Sequence, residues 1–232
     1  MIFYNTIYKS IRRILYFGCS YGLALCIVAI YSISGCSKGA LVEKSFIAKK
    51  WTCDKKADEA MKENDYEAAI LLHEQFLDRE PANGLALYHL GYAYGEIGDH
   101  ENEVSYYEKA VSLGYEEEGF FFNMGMAYGE LNQLENSIQA FKKALDINPD
   151  SADNHFGLAI AYQKSLEDKL AEEEFLEAIR IDPANMDARI YLSMLYVDSG
   201  ELKKAGDQLR KILEIDPSNE GVREFLKKIE GE

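Results

Sequence analysis

Prolines at positions 81, 149, 183 and 217 stand 68, 34 and 34 residues apart, so the absent member of the series falls at Tyr115. A chain with so strict a period is constrained to stack one small unit on copies of itself. The unit is plainest over residues 120–149, FFFNMGMAYGELNQLENSIQAFKKALDINP, where two apolar stretches of helical spacing flank the polar break 129–133. Small residues (Gly125, Ala127, Ser137, Ala144) alternate with large ones (Met124, Tyr128, Phe141). Two antiparallel helices need that alternation to pack closely and then stack on further pairs. The pattern predicts an all-α repeat array.

Each recurring position has a physical task. Large residues fill the space between helices, small ones let backbones approach, and Pro ends the second helix and stiffens the turn. Two residues after the prolines, Asn83, Ser151, Asn185 and Asn219 are placed to N-cap the next helix. The third unit supplies Phe121, Met124, Gly125, Tyr128, Phe141, Ala144 and Pro149; the fourth supplies Leu158, Ala159, Tyr162, Ala171, Phe175, Ala178 and Pro183. The second contributes Leu87, Leu90, Gly91, Tyr94, Tyr107 and Ala110, and the fifth Leu192, Ser193, Tyr196, Ala205 and Pro217. The first keeps Ala57, Ala60, Ala69 and Pro81. These residues at this period resemble the tetratricopeptide repeat (TPR) over residues 50–219.

The resemblance implies a TPR solenoid of five helix-turn-helix repeats: 50–83, 84–117, 118–151, 152–185 and 186–219. Residues 220–232, beginning EGVREFLKKIE, are expected to form a capping helix over the end of the stack. Two repeats depart from the pattern. The second has Glu103 where Ala is expected and a proline-free junction, where Gly114 is expected to end the helix. The first carries His73 in place of an aromatic and Phe76 in place of Ala.

Ahead of the repeats lies a segment of different chemistry. Lys9, Arg12 and Arg13 precede an uncharged run from Ile14 to Ser37, ending in small residues, which is the order of a secretory signal peptide over residues 1–35. Ile33-Ser34-Gly35-Cys36 resembles the lipobox of bacterial lipoproteins. By that resemblance Cys36 is acylated, becomes the first residue of the mature protein, and tethers it to a lipid bilayer, since two or more acyl chains anchor stably. Ser37 after the cysteine fits sorting to the outer membrane, facing the periplasm. The run is also long enough to span a bilayer as an uncleaved inner-membrane anchor. Either way the positive N-terminal flank places the body outside the cytoplasm. Residues 36–49 read as a tether leading into the first helix near Trp51.

Three of the 25 basic residues and none of the 40 acids lie before residue 36, leaving a net charge of −18 on residues 36–232. Such a body is repelled by phosphate backbones, which argues against nucleic-acid binding. By family resemblance the concave face is lined by the first helix of each repeat. Its inward positions here give an aromatic and Met-rich stripe: Tyr88, His89, Tyr92, Phe122, Met126, Phe156, Ile160, Ile190 and Met194. The stripe suits an apolar segment of a protein or peptide partner, unless part of it packs on neighbouring helices. The clamp of Lys, Asn and Arg by which chaperone-binding members hold a carboxylate is absent, Asp54 and Asp58 standing at its first positions.

Catalytic motifs are missing. His73, His89, His100 and His155 fall on different helices with no HExxH spacing, and no CxxC, GxSxG or P-loop occurs. No metal site, cofactor, small-molecule substrate or enzymatic activity is therefore expected. Cys53, the one cysteine of the body, reads as a small buried residue. The expected function is a membrane-tethered protein-interaction scaffold of a cell-envelope complex; the alternative is a signal-anchored adaptor or regulator that recruits a soluble enzyme.

Overall fold

A computed structural model describes residues 51–231. The expected signal peptide, Cys36 and the tether lie outside the described residues, and Cys53–Glu232 form one compact unit. Among the described residues every element is a helix: α1 (Lys55–Glu63), α2 (Tyr66–Leu77), α3 (Gly84–Glu96), α4 (His100–Ser112), α5 (Glu118–Glu130) and α6 (Leu134–Ile147). They are followed by α7 (Ala152–Lys164), α8 (Asp168–Ile181), α9 (Met186–Asp198), α10 (Leu202–Ile215) and α11 (Glu220–Glu230). The helices pair as five hairpins with one helix left over, as the period requires. Chain neighbours pack on one another throughout, and the first helices of successive hairpins also touch, α3 on α5 and α5 on α7.

The helix ends follow local chemistry. Asn83, Ser151, Asn185 and Asn219 each accept a backbone N–H three residues on, at 3.0, 3.3, 2.8 and 3.0 Å. These are the four caps the sequence placed, each worth about 1 kcal/mol. Asp54 accepts from the amides of Lys56 and Ala57, so α1 starts at Lys55 rather than near Trp51.

Inside each hairpin the turn repeats as faithfully as the helices. Asn64, Gly98, Asn132, Leu166 and Gly200 all have positive φ, between 57° and 85°. The residue after each donates its N–H back across the turn, to Ala60, Tyr94, Tyr128, Tyr162 and Tyr196. That is a Schellman stop, which wants Gly or Asn at the left-handed position. Leu166 has neither excuse, and it is 85% exposed.

Packing between hairpins rests on rings set against glycines. Phe141 on α6 is buried, and a Cβ added at Gly157 on α7 would stand 2.4 Å from its ring; at Gly125 on α5 it would stand 3.0 Å away. The ring is thus wedged between the first helices of two successive hairpins. In the second repeat Tyr107 meets Gly91 in the same manner.

The departures from the pattern are accommodated locally. Glu103 is fully buried, and its carboxylate meets Nδ1 of His100 at 2.8 Å. Gly114 ends α4 with φ +81°, as expected, and the following residue takes over from the missing proline. Tyr115 is buried, stacked on Tyr88 at 5.4 Å and edge-on to Phe120. At the far end, Phe225, Leu226 and Ile229 of α11 cover Leu209 and Ile212 of α10, together with Val222. The expected capping helix is present.

Candidate functional site

The face built from α1, α3, α5, α7 and α9 carries the nine residues singled out from sequence, but it does not present them equally. Alternate positions along it pair with the ring of the second helix in the same hairpin. Tyr88 packs on Tyr107 at 5.8 Å, Phe122 on Phe141 at 5.7 Å, and Phe156 on Phe175 at 6.0 Å. Such ring pairs contribute about 0.5–1.5 kcal/mol each beyond their buried area. Tyr92, Phe122, Phe156 and Ile160 are buried, so in this conformation they support the face from beneath. Tyr88, Met126 and Ile190 are partly exposed, and Met194 is 45% exposed. Ile190 also packs beside the cluster under α11. The Tyr88 hydroxyl accepts a hydrogen bond from the Asn123 side chain at 2.9 Å, joining two repeats.

The tyrosine at the eleventh position of several repeats forms a tie that the sequence pattern did not reveal. Tyr94 donates its hydroxyl to Glu74, Tyr128 to Glu108, and Tyr196 to Glu172, at 3.0, 2.9 and 2.7 Å. Each bond reaches back to the second helix of the preceding hairpin. Burial, then the carboxylate partner, raises these phenols, that of Tyr94 to about 12. For Tyr162 of the fourth repeat the matching residue on the preceding hairpin is Lys142, whose ammonium lies 5.5 Å from the Tyr162 ring.

A second recurring tie closes the proline turns. His155 Nε2 donates to the Pro149 carbonyl at 3.1 Å, Arg189 donates to Pro183 at 3.0 Å, and Arg223 donates to Pro217. His155 Nδ1 meets Glu174 at 2.6 Å, and that bond chiefly raises its pKa above the ordinary histidine value.

The first repeat gathers residues that the linear spacing gave no reason to group. Cys53 just before α1, His73 on α2 and His89 on α3 bring one ligand-capable atom each within 4.8 Å of one another. Cys53 Sγ lies 4.0 Å from His73 Nδ1, and His89 Nδ1 meets Asp58 at 3.0 Å. His89, assigned from sequence to the groove, therefore also faces this cluster. Burial, then the Asp58 charge, pushes the Cys53 thiol up to about 12. Burial, then the neighbouring His89, pulls His73 down to about 4. The two rest as neutral thiol and neutral imidazole, the reverse of the thiolate–imidazolium pair of a cysteine nucleophile.

A cleft of about 400 Å³ opens between α6 and the α7–α8 hairpin, lined by Glu135, Ile138, Lys142, Tyr162, Glu167 and Leu170. It contains none of the groove residues. No helix among the described residues is long and apolar enough to cross a membrane.

A family profile described as tetratricopeptide repeat matches residues 55–115 and 169–220, and a second, described as TPR repeat, matches residues 125–165. Several solved structures share the fold. A crystal structure of MamA is 24% identical, with a TM-score of 0.66 over 70% of this chain and 95% of that one. MamA from Desulfovibrio magneticus RS-1 is 18% identical, with a TM-score of 0.68 over 71% of this chain and 93% of that one. YrrB, described as a TPR protein with an unusual peptide-binding site, is 20% identical, with a TM-score of 0.67 over 74% of this chain and 88% of that one. None of the curated proteins matches the chain by sequence.

Proposed function

Because the chain belongs to the tetratricopeptide repeat family, whose fold is in general that of non-catalytic protein-interaction scaffolds, we propose that it serves as a non-enzymatic scaffold at a membrane. Acylated Cys36 holds it there, on the extracytoplasmic side, and the first-helix face engages a polypeptide of a cell-envelope complex. The observation that carries the reading is the row of apolar side chains at two fixed positions of successive first helices, from Tyr88 through Met194. Buried Tyr92, Phe122, Phe156 and Ile160 make that face rigid, while Tyr88, Met126, Ile190 and Met194 offer it apolar and polarisable contact. The acidic body favours a protein partner over nucleic acid.

The test of the tether is the intact mass of the protein extracted from its native membrane, beside a Cys36→Ala variant. A mass of residues 36–232 plus acyl chains, lost in the variant, supports the lipoprotein reading. A full-length unmodified mass in both replaces it with an uncleaved anchor and an adaptor that recruits a soluble enzyme near the inner membrane.

A further inference from the structure

His73 is a costly residue for its place in the fold. The corresponding position on the second helices of the next three repeats holds Tyr107, Phe141 and Phe175, rings that bury without loss. His73 is also fully buried, yet its Nε2 has no hydrogen-bond partner. An imidazole left in that condition costs about 1–3 kcal/mol relative to a satisfied one. So costly a residue needs a reason for being there, and its other nitrogen points to one: Nδ1 faces Cys53 Sγ at 4.0 Å. Cys53 and His89 stand with it in a cluster whose ligand atoms are all within 4.8 Å, and the two imidazole rings meet edge-on at 5.3 Å.

We propose that Cys53, His73 and His89 bind a zinc-type divalent metal ion, with Asp58 orienting His89. One thiolate and two imidazoles form a borderline-soft S and N donor set, which suits that class of ion better than Mg²⁺ or Ca²⁺. In a tetrahedral zinc site with Zn–S near 2.3 Å and Zn–N near 2.0–2.1 Å, ligand atoms stand about 3.3–3.6 Å apart. The Sγ to Nδ1 distance of 4.0 Å is within about 1 Å of that, a change side-chain rotation can supply. Asp58 Oδ1 lies 3.0 Å from His89 Nδ1, and the carboxylate favours the proton on that nitrogen, which leaves the lone pair on Nε2, the form in which imidazole binds a metal. Binding displaces the Cys53 thiol proton to solvent, and the resulting thiolate together with Asp58 balances the two positive charges. The fourth coordination position is open to water or to a donor from a partner. The ion would clasp the start of α1 to α2 and α3, closing the end of the stack opposite α11.

The experiment uses the full chain, purified in detergent, reduced, stripped with a chelator and titrated first with Co²⁺ and then with Zn²⁺. One equivalent of Co²⁺ is expected to give a thiolate-to-cobalt charge-transfer band with the d–d intensity of a tetrahedral site, and Zn²⁺ to displace it. Cys53→Ser loses the band, Cys36→Ser keeps it, and Asp58→Asn weakens Zn²⁺ binding about 10- to 100-fold. His73→Phe restores the ring used in later repeats, so it folds with wild-type helicity and loses the metal. A wild-type protein with no charge-transfer band overturns the proposal. So does a band that survives Cys53→Ser or His73→Phe. Alkylation of Cys53 gives an independent readout: Zn²⁺ should slow it in the wild type, and an unchanged rate is equally fatal.

Discussion

Gly157→Ala is the substitution whose sign separates local helix preference from packing between repeats. In an unconstrained helix, Gly to Ala gains about 1 kcal/mol. Here the new methyl would lie 2.4 Å from Cε1 and 2.6 Å from Cζ of Phe141. Carbon atoms prefer a separation of about 3.5–4.0 Å, so the overlap exceeds 1 Å. The ring has no room to retreat, because Gly125 bounds it on the other side and Phe122 meets it edge-on at 5.7 Å. Overpacking of this kind costs at the upper end of about 1–3 kcal/mol, which leaves a net destabilisation near 2 kcal/mol. Urea unfolding of the full chain, followed by far-UV circular dichroism, measures it. Gly221→Ala is the control, since its methyl would meet only the Asn219 side chain at 3.7 Å, and its stability should not fall. Phe141→Leu removes the offending ring atoms, so the double variant should lose less than the two single losses combined. If Gly157→Ala stabilises the protein as the control does, the wedge between repeats is not a packing constraint and the reasoning fails.

Three other perturbations test separate devices. The raised pKa of His155 means that its bonds to Glu174 and Pro149 contribute stability fully below the unfolded value of 6.5, and that this contribution is lost as pH rises through the folded pKa. The stability difference between wild type and His155→Gln should therefore shrink from pH 6 upward; a constant difference across that range removes the titration from the account. Tyr128→Phe deletes the hydroxyl that donates to Glu108 and should cost about 1 kcal/mol, the charged bond being discounted for an exposed carboxylate. The same substitution at Tyr162, which has Lys142 in place of a carboxylate partner, serves as its comparison in thermal melts. Leu166→Asn places at the left-handed turn the residue already used at Asn64 and Asn132, and should stabilise by about 1 kcal/mol in urea unfolding. No gain there means that the turn is not strained by leucine.

The period made most of the fold legible before any coordinates. Prolines set the repeat ends, the Asn and Ser two residues on capped the helices they were assigned to, and α11 covered the end of the stack. What stayed hidden depends on which side of a helix a residue faces after stacking. Tyr92, Phe122, Phe156 and Ile160 read as groove residues because their positions lie on first helices, yet the stacking buries them. Cys53, His73 and His89 are separated by 20 and 16 residues and share no motif, so only the packing of α1, α2 and α3 joins them. One signal was present: His73 occupies a ring position, and a polar residue there required a reason. Tyr115 carried a similar signal, an aromatic in a proline slot that proved to complete a ring cluster.

The central claim is that the first-helix face receives a polypeptide partner. Site-specific photocrosslinking in the native cells tests it most directly, with the reactive group placed in turn at Met126, Met194 and Leu166. The first two lie on the first helices α5 and α9, and Leu166 is 85% exposed on the turn between α7 and α8. A discrete adduct of the same mass at Met126 and Met194, absent at Leu166, is the predicted result. Adducts only at Leu166, or the same pattern at all three positions, would contradict it.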